Sequence, residues 1–146
     1  MSAYIYSAAD IDAATDAALE AAAWAAFNDA AYGDPDATET LEETGATWHP
    51  RARATMREQL ADFLGGDDPE HSQALALWRE AGQLGPSSVG RDFALTRDGH
   101  GTGFWDRFAY GTAAWAAGEA LSRVARAYGP VDAYLGDDGM LHMRGE

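Results

Sequence analysis

Apolar side chains return at three- and four-residue steps over most of this chain, the spacing that gathers them on one face of a helix. Ser7, followed by Asp10 and an alanine-rich run, is a capped helix start, so a first helix is expected over about 8–31. Leu19, Ala23, Phe27 and Ala30 fall on its packing face with Trp24 beside them, while Asp12, Asp16 and Glu20 step along another face. Gly33-Asp34-Pro35-Asp36 ends that helix. The polar stretch over 33–47 reads as a long surface loop with a helical turn near 38–43, and Trp48 as the anchor of the returning chain.

Pro50 suits the first turn of a second helix over about 50–64, with Ala52, Met56, Leu60 and Phe63 inward and Gly65-Gly66 as its stop. Asp68-Pro69 opens a third over about 69–82, with Ala74, Leu75, Trp78 and Ala81 as its stripe and Gly82, Gly85 and Pro86 as its stop. From Val89 the period shortens: Phe93 and Leu95 alternate with Ala94 and Thr96, Asp98-Gly99 is a turn signal, and Phe104-Trp105 lies in a returning strand, so 91–107 is expected to be a β-hairpin. A fourth helix over about 112–128 carries Ala114, Ala117, Leu121, Val124 and Tyr128 and closes at Gly129-Pro130. Residues 131–135 and 140–143 then flank Gly136-Asp137-Asp138-Gly139 as a second hairpin. The fold class expected is α+β: amphipathic N-terminal helices packed on a C-terminal ββαββ unit, a small antiparallel sheet covered by one helix. The chain is expected to be a single domain, residues 1–146, mainly helical over 1–86 with the ββαββ unit over 87–146.

Charge alters this picture more than composition does. The formal net charge is -14, and the acids are concentrated: residues 1–50 hold ten of them and no arginine or lysine, while all ten arginines follow His49 and lysine is absent. Such a field repels phosphate backbones and anionic membranes and attracts basic surfaces. Direct nucleic-acid or membrane binding is therefore not expected; a basic protein partner is. The acidic positions expected to meet it are Asp12, Asp16 and Glu20 on the first helix with Asp34, Asp36, Glu39, Glu42 and Glu43 in the loop. Solubility or adaptation to high salt would produce the same lysine-free acidity.

The chain has no cysteine, which removes disulfides, thiolate metal sites and a cysteine nucleophile. It shows neither a secretory leader nor a run of about 18 apolar residues, so a cytoplasmic location is expected. Polar chemistry is densest around the first hairpin, where Arg97, Asp98, His100, Asp106 and Arg107 form an alternative site, for a small molecule or anion or for weak hydrolysis: Arg97 on the anionic group, His100 as acid or base, Asp106 orienting them. The same residues also suit turn chemistry and ion pairing. His100, Asp98, Asp106 and His142, or Asp137 with Asp138, lack metal-site spacing, and His49 and His71 lie at helix starts where capping is the simpler role. No catalytic residue, cofactor or metal is assigned.

The run Gly90-Arg91-Asp92-Phe93-Ala94-Leu95-Thr96-Arg97-Asp98-Gly99-His100-Gly101-Thr102-Gly103-Phe104-Trp105-Asp106, followed by Tyr134-Leu135-Gly136-Asp137-Asp138-Gly139, resembles a family of small proteins encoded by bacteriophages, prophages and plasmids. Its pattern reads Gly-His-Asp-Phe-Trp-Leu-Thr-Arg-Asn-Gly-His-Gly-Ala-Gly-Phe-Trp-Asp with a later Tyr-x-Gly-Asp-Asp-Gly. Here Arg91, Ala94, Asp98 and Thr102 replace His, Trp, Asn and Ala. The resemblance covers roughly 89–139 and implies an accessory gene of a mobile element rather than a reaction. Joined to the charge asymmetry, it leads to the expectation of a non-enzymatic protein, in the cytoplasm of a host cell, that occupies a basic nucleic-acid-targeting or defence protein by offering carboxylates in place of phosphates. A virion or interaction module whose acidity serves solubility is the plainer alternative.

Overall fold

The computed structural model describes residues 5–26, 40–99 and 101–146. Among these, five α-helices are followed by one small sheet: α1 Ala8–Ala25, α2 Pro50–Leu64, α3 Pro69–Gly82, α4 Pro86–Arg97, α5 Ala113–Arg126, then strands β1 Tyr134–Leu135 and β2 Leu141–His142. The α+β class holds, with helix dominant. The strands pair antiparallel, Tyr134 opposite His142 and Leu135 opposite Leu141, which is the second of the two expected hairpins. No helix of the described residues is long and apolar enough to cross a membrane.

Local signals account for most boundaries. Ser7 and Asp10 form a reciprocal capping box at the start of α1, satisfying two amides that the first turn leaves unbonded. α2 and α3 each begin with proline behind a side-chain cap, His49 Nδ1 accepting from the Arg51 amide and Asp68 from Glu70. α1 stops earlier than its alanine run suggests: Ala26 is extended and its carbonyl accepts the Leu41 amide. Phe27 and Ala30, expected on its packing face, lie outside the described residues.

The first expected hairpin is corrected: residues 86–97 are helical, so the β-strand over 91–97 and the ββαββ unit are not what this segment builds. α4 is the central helix, and from Val89 to Arg97 every residue except Arg91 is buried. A stretch enclosed on nearly all sides shows little polar face, and its apolar run imitates a strand. Pro86 is the first residue of α4 rather than the stop of α3. Asp98-Gly99 ends α4, with Gly99 in the left-handed conformation at φ 63° usual just past a helix terminus. Phe104–Asp106 makes a single 3-10 turn instead of a returning strand. On α5 the buried face is Ala117, Leu121, Ser122 and Ala125, so Val124 turns outward.

α1 packs along α4 more extensively than any other pair of elements. The approach is set at Gly90, where a Cβ would lie 1.9 Å from the Ala14 carbonyl oxygen. Beneath it Phe63, Phe93, Phe104, Trp78 and Tyr128 form a continuous aromatic group, and Val131 and Met143 close the same core from beyond α5. Trp48 bridges in parallel to Leu141, so it does anchor the chain returning from the loop, and it ties the N-terminus of α2 to the hairpin.

Candidate functional site

The acidic stripe of α1 is present but not bare. Asp12 accepts from Arg57 at 2.7 Å and Asp16 pairs with Arg53, so α2 crosses α1 antiparallel with two arginines one turn apart facing two aspartates one turn apart. These side chains are well exposed, 39–66%, and exposed pairs contribute about 0–1 kcal/mol. Glu20 and Glu42 are exposed and have no ion pair among the described residues; Glu43 follows in the 3-10 turn Glu42–Thr44 and accepts from the Thr40 hydroxyl. Asp34, Asp36 and Glu39 lie outside the described residues.

A cleft of about 560 Å³ runs between α1, that turn and the start of α4. Ala13, Ala17 and Ala21 contribute small side chains to its lining, Asp16, Glu20 and Glu42 supply carboxylates, and Trp24, Ser87, Ser88 and Arg91 line the rest. A second hollow of about 420 Å³, bounded by Trp48 and Arg53, also touches Asp16 and Glu20. Those two carboxylates therefore border both hollows. Trp24, expected near the packing face, is 47% exposed with the Arg91 guanidinium 5.9 Å from its ring centre. Sequence reading missed it because an alanine-rich helix gives little indication of where its apolar face ends.

The described residues of the alternative site each make structural hydrogen bonds. Arg97 is buried, donating to the Gly129 carbonyl and to Gln59 Oε1 at 2.7 Å each, with its guanidinium against the rings of Phe93 and Tyr128. Burial pushes it down to about 10, opposed by the charges of Asp98 and Tyr128, so it stays cationic at neutral pH. Asp98 accepts the amides of Val131 and Asp132, which anchors the segment after α5; burial raises its pKa against those hydrogen bonds. Asp106 accepts the Gly103 amide at 3.0 Å and caps its own turn. Arg107 grips Asp92 with two hydrogen bonds of 2.5 and 3.0 Å. His100 lies outside the described residues. Asp92, Asp106 and Arg107 are neighbours, whereas Arg97 is spent elsewhere, and none of Arg97, Asp98, Asp106 and Arg107 lines the 560 Å³ cleft.

No protein-family model, curated protein or solved structure matches this chain. Its chemistry therefore has to be read from its own side chains.

Asp92 is 1% exposed, and burial raises its carboxyl pKa while the Arg107 hydrogen bond and charge hold it down. Removing Arg107 leaves burial nearly unopposed. A folded-state pKa above that of the unfolded chain means that the folded form holds the proton more tightly, so this stability is present at low pH and lost as pH rises through the folded value. Arg107→Ala is thus expected to cost about 2 kcal/mol near neutrality, the penalty for orphaning a buried polar group. The gap to wild type should narrow on acidification, as read by urea denaturation at both pH values. A pH-independent gap would show that Asp92 does not depend on Arg107.

Among the described residues, the donors closest to a metal-site arrangement are His49, His142 and Glu146. Among the described residues, His142 does not form a ligand set with Asp98 or Asp106; its ring stacks on His49, 4.9 Å between centroids. The Trp48–Leu141 bridge brings the two histidines together, and no local spacing signals that.

Proposed function

We propose that the protein is a non-enzymatic acidic accessory protein that binds a basic protein partner stoichiometrically through the α1 face. The observation carrying this reading is the cleft bordered by Asp16, Glu20 and Glu42 around exposed Trp24. A partner arginine entering there meets carboxylates that accept its fork of donors and an indole face that attracts its charge. Arg91 already rests near that ring. Because the ion pairs of Asp12 and Asp16 are exposed, partner arginines can take the places of Arg57 and Arg53 and extend the contact along α1.

The partner class that fits is a nucleic-acid-targeting or defence protein of a host cell, whose phosphate-binding groove accepts carboxylates instead. The mobile-element resemblance over 89–139 agrees with this setting, and charge complementarity between the two surfaces would speed encounter. The matched test is charge reversal at two places. Glu20→Lys with Glu42→Lys is expected to weaken partner binding about tenfold or more and flatten its salt dependence. Asp67→Lys with Glu70→Lys, which alters net charge equally outside the cleft, should leave affinity within about twofold. Equal losses from the two pairs would mean that overall acidity, not this face, governs binding.

A further inference from the structure

We propose that His49, His142 and Glu146 bind one divalent first-row transition-metal ion, with Asp138 orienting His142. The three donors come from separate segments: His49 from the cap of α2, His142 from β2 and Glu146 from the residues after it. Their ligand atoms lie within 4.8 Å of one another. Backbone bonding brings them together, the His49 amide donating to the Leu141 carbonyl and the Leu141 amide to the Thr47 carbonyl, both at 2.8 Å.

Two features of the cluster call for a cation. Both ring nitrogens of His142 face carboxylates, Nδ1 at 2.8 Å from Glu146 Oε1 and Nε2 at 2.9 Å from Asp138 Oδ2. A neutral imidazole has one N–H, so one lone pair is set against an anion. The Glu146 side chain is also only 8% exposed, and its second oxygen is buried without a hydrogen-bond partner, 3.9 Å from His49 Nδ1. A second proton on His142 would resolve the first conflict and leave that oxygen unmatched. A metal ion between Glu146 and the two imidazoles resolves both.

The surroundings fit a ligand sphere. With Asp138 accepting from Nε2–H, the Nδ1 lone pair of His142 is directed at the ion, the arrangement by which an outer carboxylate sets tautomer and ring orientation. Gly136 keeps the place open, since a Cβ there would stand 2.6 Å from His142 Cδ2 and 2.9 Å from Asp138 Oδ1. Tyr134 stacks on the outer face of the hairpin histidine, 5.4 Å between centroids. Two imidazoles and a carboxylate select zinc, cobalt, nickel or copper over magnesium and calcium. Ligation by His49 Nδ1 exchanges its hydrogen bond from the Arg51 amide for the metal.

Titration of the chelator-treated protein with Zn2+ by calorimetry, and with Co2+ by visible absorption, tests the site. The expected result is one equivalent bound in the presence of excess Mg2+, with a thermal midpoint raised by Zn2+. His49→Asn keeps a helix-capping oxygen and Glu146→Gln keeps the hydrogen-bonding shape, so both variants should fold. Each should abolish the Co2+ d–d bands, and Asp138→Asn should weaken Zn2+ about 10–100-fold. Absence of stoichiometric binding, binding displaced by Mg2+, or binding unchanged in His49→Asn and Glu146→Gln would overturn the proposal and leave a protonated His142 between two carboxylates.

Discussion

Arg97→Ala is expected to destabilise the protein by about 3 kcal/mol, because it orphans part-buried acceptors and opens a cavity beside two rings. The acceptors are the Gly129 carbonyl and Gln59, and the rings are those of Phe93 and Tyr128. For a chain of this length the melting midpoint should fall by roughly 10 °C. Arg97→Lys keeps the charge and the stem but lacks the planar fork that reaches two acceptors at once, so it should recover only part of the loss. If Arg97 served an exposed anion site instead, alanine would leave the midpoint nearly unchanged, and calorimetric melting of the two variants separates the cases.

Gly90→Ala should be comparably severe for a different reason. The new methyl would lie 1.9 Å from the Ala14 oxygen and 2.6 Å from its carbonyl carbon, and backbone atoms of a packed helix cannot turn aside as a long side chain does. α1 must slide off α4 along their whole contact, at a cost of about 3 kcal/mol or more. Hydrogen exchange should show the amides of α1 losing protection. A variant with wild-type protection would place the α1–α4 approach elsewhere.

Both predictions concern a segment that resisted reading from sequence. α2 and α3 were legible because each keeps a polar face and starts with proline behind a cap, and α5 was legible in extent though its buried face is turned to Ser122 and Ala125. α4 shows a polar face only at its start, at Ser87, Ser88 and Arg91, and beyond it Asp92, Thr96 and Arg97 are polar yet buried by specific partners. The residues that looked most chemical, Arg97, Asp98, Asp106 and Arg107, are occupied in holding helix ends, turns and a buried carboxylate. Their density in the sequence reflects how much polar bonding an enclosed helix and its exit need.

The acidic face shows the converse. Its positions on α1 were plain from four-residue steps, and Arg53 with Arg57 at the same step was a readable sign of the opposing ladder. What periodicity did not disclose was that α2 lies beside that face, or that the turn at Glu42 and the start of α4 meet α1 there to form a cleft. The His49–His142–Glu146 cluster is further from view, because a parallel bridge between Trp48 and Leu141 brings the two histidines into register.

Capture of partners from whole-cell extract tests the proposed role of the α1 face most directly. Wild type, the Glu20→Lys/Glu42→Lys variant and the Asp67→Lys/Glu70→Lys control would be compared at low and moderate salt, with duplex DNA as competitor. One basic nucleic-acid-binding protein should be retained in equimolar amount by wild type and control, released by salt or DNA, and lost with the cleft variant. Recovery of the same proteins by all three, or no basic protein at any salt, would contradict that role.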